Sequence, residues 1–249
     1  MRVQKARVSS SIPHFKQKFY TRYNLIDIDN DYDPVIMFGM YKKDDQQFYL
    51  KHKGPIIVAW CGTDGLRIDP QLIKSRDAIH IAPSSFIMQD LEEHNISYKY
   101  VPFTPALTNI SPHPRGDIIY FYGKRNIYHP EYIPVIKKRT KLEIIHTQHN
   151  TYTPTQLIEI YKKSFIGLRL TDHDGVPTTV VELGLMGRRC IHNGITPHSL
   201  KYNNIDEICE LILLEYQNRH KTDYMQIAND WDKFINIGDD WLVYDLART

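Results

Sequence analysis

The chain of 249 residues lacks any apolar run approaching the ~18 residues needed to cross a bilayer, and Met1-Arg2-Val3-Gln4-Lys5 is not followed by an apolar signal core. Cysteine is scarce. Cys61, Cys190 and Cys209 lie far apart, each in an apolar context, which speaks against a disulfide framework or zinc ribbon and for buried thiols in a reducing, cytoplasmic compartment. Charge of one sign is also lacking: 31 Lys and Arg against 29 Asp and Glu leave a formal charge of +2, so bulk electrostatics do not point to nucleic acid. There is no G-x-G-x-x-G fingerprint, no Walker loop and no G-x-S-x-G elbow, which removes the main support for a dehydrogenase, an NTPase or a serine hydrolase. Repeats and low-complexity tracts are absent too.

What is present is an ordinary globular composition, 42% hydrophobic and 24% charged, arranged in short apolar runs that alternate with helical patterns. Continuous apolar segments at 35–39, 55–61, 78–82, 98–101, 117–122, 142–146, 164–170 and 190–194 predict strands, with one weaker strand at 25–28. Ser84 or Ser85 opens a helix that ends near His94 and Asn95. Thr153-Pro154-Thr155-Gln156 opens another, with cap, N1 proline and N3 glutamine in place, and two amphipathic helices follow over 204–216 and 224–235. Pro102, Pro105, Pro112 and Pro114 read as a link. The alternation predicts an α/β protein of two Rossmann-like domains, 1–112 and 113–249, with the last helix available to pack back on the first domain.

The chain is organised around the stretch from Asp174 to Gly187, where a tight Asp174-Gly175-Val176-Pro177 loop runs into a short apolar helix. Thr179 is placed as its N-cap with Glu182 as the returning carboxylate of a capping box; Gly187 ends it, and Arg188 and Arg189 stand at its negative end. A helix start is an anion site, and Gly175 allows a ligand close to the backbone. From the residues alone two readings stand: Glu182 caps and Asp174 turns the chain, or both meet a ligand.

Other candidates sit at predicted strand ends. Gly62, Thr63, Asp64 and Arg67 follow the run at 55–61, as an excellent turn or as acceptor or donor contacts in a ligand cleft. Lys124 and Arg125 follow the run at 117–122, as a solvated loop or as phosphate contacts. Arg169 stands inside an apolar strand, where either a buried ion pair or an anionic ligand would account for it. His146, His149 and His173 match no ligand spacing, so no metal is expected.

The loop and helix, Asp174-Gly175-Val176-Pro177 with Glu182 and Gly187, resemble those of retaining GT-B glycosyltransferases, family 4 (glycosyl transferases group 1), in which two acidic residues stand with seven between them. The resemblance is strongest from about Ile144 to Asn193. The family usually has Glu where this chain has Asp174, one methylene shorter. Its implied fold is GT-B-like, two Rossmann-like domains facing a cleft, here with a reduced N-terminal domain. It further implies transfer of a sugar from a nucleotide-diphosphate donor to a glycan or glycoconjugate hydroxyl, with retention and with neither metal nor other cofactor. On that resemblance Asp174 and the amides of Gly175, Val176, Pro177, Thr178 and Thr179 meet the donor sugar and diphosphate, Glu182 meets the ribose, and Lys124, Arg125 or Arg169 supply cations. Two other outcomes of the same architecture are a non-catalytic nucleotide-sugar or carbohydrate-binding module, and a nucleotide-sugar epimerase with His173 as its nearest acid/base candidate.

Overall fold

The continuous apolar runs fold as strands buried on both faces, as a parallel sheet covered by helices requires. The structure, a computed structural model, describes residues 2–62, 64, 69–106, 109–123, 125–148, 152–171, 175–236, 238 and 240–243. Two units divide the chain: residues 1–105 with 237–249, and residues 106–236.

The first unit runs β1 (Lys5–Val8), α1 (Lys16–Tyr23), β2 (Ile26–Asp27), β3 (Val35–Phe38), α2 (Lys43–Lys51), β4 (Ile56–Ala59), α3 (Pro70–Lys74), β5 (Ile79–Ala82), α4 (Ser85–Glu93) and β6 (Tyr98–Tyr100). Its strands are parallel in the order β2-β1-β3-β4-β5-β6. Alternate residues feed two cores. Ile36, Phe38, Ile57, Ala59 and Ile81 meet Phe19 and Tyr23 of α1, while Val35, Met37, Ile56, Val58 and Trp60 meet Tyr49, Ile73, Ile87 and Leu91. A C-terminal turn closes on the same unit: the Val3 amide donates to the Leu242 carbonyl at 2.7 Å, and Trp241 stacks on Phe103.

Strand β1 and helices α1, α2 and α3 all correct the sequence reading, which places only one weak strand before residue 30 and no helix before Ser84. Strand β1 was not expected, because Lys5 and Arg7 interrupt its apolar pattern; they are tolerated through ion pairs with Asp29 and Asp45. Helix α2 is polar along most of its length and is fixed at its start by Asp45, whose buried carboxylate accepts from the amides of Tyr41 and Lys42 and from the Ser9 hydroxyl.

The second unit runs β7 (Ile118–Tyr122), α5 (Tyr132–Thr140), β8 (Ile144–Thr147), α6 (Pro154–Lys163), β9 (Ser164–Leu168), α7 (Thr178–Leu185), β10 (Arg189–Ile191), β11 (Ser199–Leu200), α8 (Ile205–Asn218) and α9 (Tyr224–Ile235). All its strands are parallel, in the order β11-β10-β9-β7-β8. Helix α5 escaped the sequence reading because of Pro134, which stands in its first turn, where the missing N–H costs no helical bond. At α6 the capping box is in place: the Thr153 amide donates to Gln156 Oε1 at 2.9 Å and the Gln156 amide to Thr153 Oγ1 at 3.3 Å.

Both units share a topology in which the strand order reverses once. In the first the reversal lies between β1 and β3, in the second between β7 and β9, and ligands of open α/β sheets bind at the carboxyl ends beside such a switch point. Arg188 ties the second unit together. Fully buried, its guanidinium donates from Nε to the carbonyls of Tyr161 and Ser164, from Nη2 to those of Pro114 and Lys162, and from Nη1 to those of His113 and Met186. Burial, with Arg115 nearby, pulls its pKa down to about 9.

Candidate functional site

Helix α7 is held where it is by what the sequence leaves out. Gly167 on β9 lacks a Cβ, which would meet Leu183 Cδ1 at 2.4 Å, and Gly184 lacks one that would meet the Trp231 indole of α9 at 2.2 Å. The helix therefore lies close against both sheet and α9, with Val180, Val181, Leu183 and Leu185 buried. Its N-terminus emerges after the Gly175-Val176-Pro177 turn, downstream of the carboxyl end of β9, the strand that borders the switch point.

The start of α7 differs from the sequence expectation. The N-cap is Pro177, whose carbonyl accepts from Val180 and Val181, and the first helical residue is Thr178. Thr179 is therefore not the cap. It lies inside the first turn with its Oγ1 buried and without a hydrogen-bond partner. Glu182, two positions beyond the one a capping box uses, does not turn back to the helix start: its Oε2 accepts from the Tyr161 hydroxyl at 3.0 Å. Pro177 explains the shift, because its φ of −67° is already suited to a helix entry and it has no amide for Glu182 to accept.

Tyr161 holds Glu182 from α6. Burial pushes the Tyr161 hydroxyl far above its ordinary pKa, so it remains a donor, and its ring meets Tyr120 of β7 edge to face at 5.0 Å. Thr147 of β8 in turn donates to the Tyr120 hydroxyl at 2.7 Å. Three elements, α6, β7 and β8, thus stand behind the one buried carboxylate on α7.

At the switch point itself, β9 ends at Leu168, so Arg169 stands one residue past the strand and not inside it. Its guanidinium lies over the rings of Tyr122 at 4.6 Å and Tyr128 at 4.4 Å, and donates to the Tyr128 hydroxyl at 3.3 Å. Gly123, at φ +129°, makes this possible, since a Cβ there would meet the Tyr128 ring at 2.3 Å. Arg125 precedes the short turn at Asn126–Tyr128 and is exposed. Asp174 and Lys124 lie outside the described residues, as do His149 and His173.

In the first unit, Gly62 takes φ +135° and is half-buried. Asp64 is fully buried. Its carboxylate accepts from the amides of Met40 at 3.0 Å and Cys61 at 3.1 Å, so it ties together the loops after β3 and β4 and does not lie open to a ligand. Burial pushes its pKa up to about 7 against the pull of those amides. Thr63 and Arg67 fall outside the described residues. The structure adds Tyr161, Tyr122 and Tyr128, which sequence reading did not find; a tyrosine in an apolar helix or strand carries no spacing signal of its own.

No family model matches the chain, and no curated protein matches it in sequence. Solved structures do. The apo form of the lipopolysaccharide outer core galactosyltransferase WaaB matches with a TM-score of 0.61 over 92% of this chain and 78% of that one, at 16% identity. Sucrose-phosphate synthase from Thermosynechococcus elongatus matches with 0.60 over 89% and 72%, at 9% identity. A mutant of S. aureus TarM in complex with fondaparinux, alpha-GlcNAc-glycerol and UDP matches with 0.55 over 89% of this chain and 59% of that one, at 13% identity. At such identities the likeness is one of fold: this chain is an α/β protein with two parallel sheets, matching the folds of GT-B glycosyltransferases.

Proposed function

We propose that the protein is a retaining glycosyltransferase that moves a sugar from a nucleotide-diphosphate donor to a hydroxyl of a glycan or glycoconjugate, without a metal. The observation that carries this reading is the α7 N-terminus, where Thr179 Oγ1 is buried without a partner, the N-cap Pro177 has no side chain that could accept from the first-turn amides, and Glu182 is held by Tyr161. An oxyanion there gains the first-turn amides, the Thr179 hydroxyl and the positive end of the helix. The TarM structure with UDP supports a nucleoside diphosphate as the occupant.

In this reading the ribose hydroxyls bind Glu182. The diphosphate lies at Gly175 to Thr179, with Arg169 reaching it from the switch point and Lys124 and Arg125 as further cations. Asp174 meets the donor sugar. As the glycosidic bond lengthens, negative charge grows on the departing diphosphate, and fixed amide dipoles and guanidinium groups stabilise that charge more than they stabilise the ground state. The acceptor hydroxyl attacks on the face the diphosphate leaves, and the diphosphate takes its proton. Gly62, Thr63 and Arg67 are assigned to the acceptor side.

The test is calorimetric titration of UDP, GDP, dTDP and CMP into wild type, Glu182→Ala and Thr179→Val. One diphosphate should bind wild type and lose about tenfold or more in each variant, given that a hydrogen bond to a charged group contributes about 1.5–3 kcal/mol. Equal binding by cooperatively melting variants would remove the helix start from the site. Binding with no sugar transfer to any acceptor would leave the non-catalytic module.

A further inference from the structure

Behind Glu182 stands a row of buried hydroxyls. Thr147, Tyr120 and Tyr161 are each at most 1% exposed, and the two tyrosines pack among Ile118, Ile160, Val180 and Val181. Hydroxyls in such a place meet one another, which by itself would account for Thr147 and Tyr120. Their order says more. Register puts Tyr120 opposite Ile145, so Thr147 stands two residues along on the same face, within the diagonal reach of a tyrosine. Thr147 Oγ1 lies 2.7 Å from the Tyr120 hydroxyl. The Tyr120 and Tyr161 hydroxyls interact in turn across the edge-to-face contact of their rings, and Tyr161 ends on Glu182 Oε2 at 3.0 Å.

The polarity of this row is set from its far end. A carboxylate only accepts, so the single proton of Tyr161 goes to Glu182 and the Tyr161 oxygen is left as an acceptor toward Tyr120. Tyr120, turned the same way, accepts from Thr147. Burial holds both phenols far above their ordinary pKa, so both keep their protons at physiological pH. Hydrogen bonds in such a row polarise one another, and the end that gains is the one on Glu182.

We infer that Thr147 and Tyr120 are positioning residues for Glu182, and that through it they set the preference of the site for a ribonucleotide over a 2′-deoxyribonucleotide donor. The inference rests on the reading that Glu182 meets the ribose hydroxyls. A carboxylate fixed by the row behind it is left short of a donor when the 2′-hydroxyl is missing, whereas one able to turn finds another partner and discriminates less.

The test is calorimetric titration of UDP and 2′-deoxy-UDP, and of GDP and 2′-deoxy-GDP, into wild type, Thr147→Val, Thr147→Ser, Tyr120→Phe and Tyr161→Phe, with urea melts of each. Wild type should bind one ribonucleotide about tenfold or more tighter than its deoxy counterpart. Thr147→Val and Tyr120→Phe should each lower that preference about threefold or more by weakening the ribonucleotide alone, and Thr147→Ser, which keeps the hydroxyl, should retain it. Because the row acts as one, Thr147→Val should change nothing further in a Tyr161→Phe background. An equal loss for both nucleotides, an unchanged preference in cooperatively melting Thr147→Val or Tyr120→Phe, or the full effect of Thr147→Val surviving in the Tyr161→Phe background would overturn the assignment. Failure of the underlying reading looks different: wild type itself would show no ribose preference, or Glu182→Ala would keep it, and the positioning role would fall with it.

Discussion

Glycine 184 offers a sharp test of how α7 is positioned. It lies within the helix, where Ala would ordinarily stabilise by about 1 kcal/mol through helix propensity. In place, however, its Cβ would stand 2.2, 2.3 and 2.4 Å from Nε1, Cε2 and Cδ1 of Trp231, against ~3.5–4.0 Å for a comfortable carbon contact. The indole cannot swing away, since Trp231 is 1% exposed and meets Phe234 edge to face. Overpacking of this kind costs about 1–3 kcal/mol, and a misfit of more than 1 Å against a rigid ring belongs at the upper end, so Gly184→Ala should destabilise by about 2 kcal/mol net. For a chain of this size that is a fall in Tm of about 4–8 °C. Urea melts should give a lower midpoint with an unchanged slope, and Trp231→Phe combined with Gly184→Ala should recover part of the loss beyond additivity. A Gly184→Ala protein as stable as wild type, or strictly additive with Trp231→Phe, would refute the claim that this contact sets the spacing of α7 and α9.

Tyr161→Phe removes the hydroxyl that holds Glu182 and should weaken nucleoside diphosphate binding about three- to tenfold in calorimetry, from the ~0.5–1.5 kcal/mol of one hydrogen bond, while wild-type affinity in this variant would detach Glu182 from the ligand. Arg188→Met leaves six carbonyls without their donor and should destabilise by about 3 kcal/mol or more, seen as a large drop in urea midpoint. Asp64 yields a pH signature: it keeps its proton to about pH 7 when folded and loses it near pH 4 when unfolded, so the folded chain binds more protons between those values and this group's contribution falls as pH rises from about 4 to about 7, then stays level. Asp64→Asn should remove that component, so the wild type minus variant difference in Tm should decline across that window; a difference independent of pH would argue against a raised Asp64.

Local signals made much of the fold legible. Thr153-Pro154-Thr155-Gln156 places a helix start because all its information lies within four residues, and the apolar runs that became β3, β4 and β7 are buried on both faces. Where a residue's state depends on distant partners, the sequence misleads. Thr179 and Glu182 have capping-box spacing, yet Pro177 moves the helix start by two residues and Tyr161, 21 positions away, takes the carboxylate. Arg169 looked like a charge in a strand, but the strand stops before it, and Tyr122 at the end of β7 and Tyr128 in the turn beyond lie against its guanidinium. Asp64 looked like part of a turn and is a buried tie between loops, which only the third dimension brings together.

The carbonyl cage around Arg188 bears on how far this helix is portable. Its six acceptors come from the segment before β7, from the end of α6 with the first residue of β9, and from the end of α7 itself, up to 75 positions from the arginine. A guanidinium lodged there has sockets that no single segment supplies, so α7 with its loop is not an exchangeable cassette. Grafting Gly175 to Arg188 onto a related scaffold would transplant an arginine without its receptor, and a successful graft would have to carry residues 113–114 and 161–164 along with it.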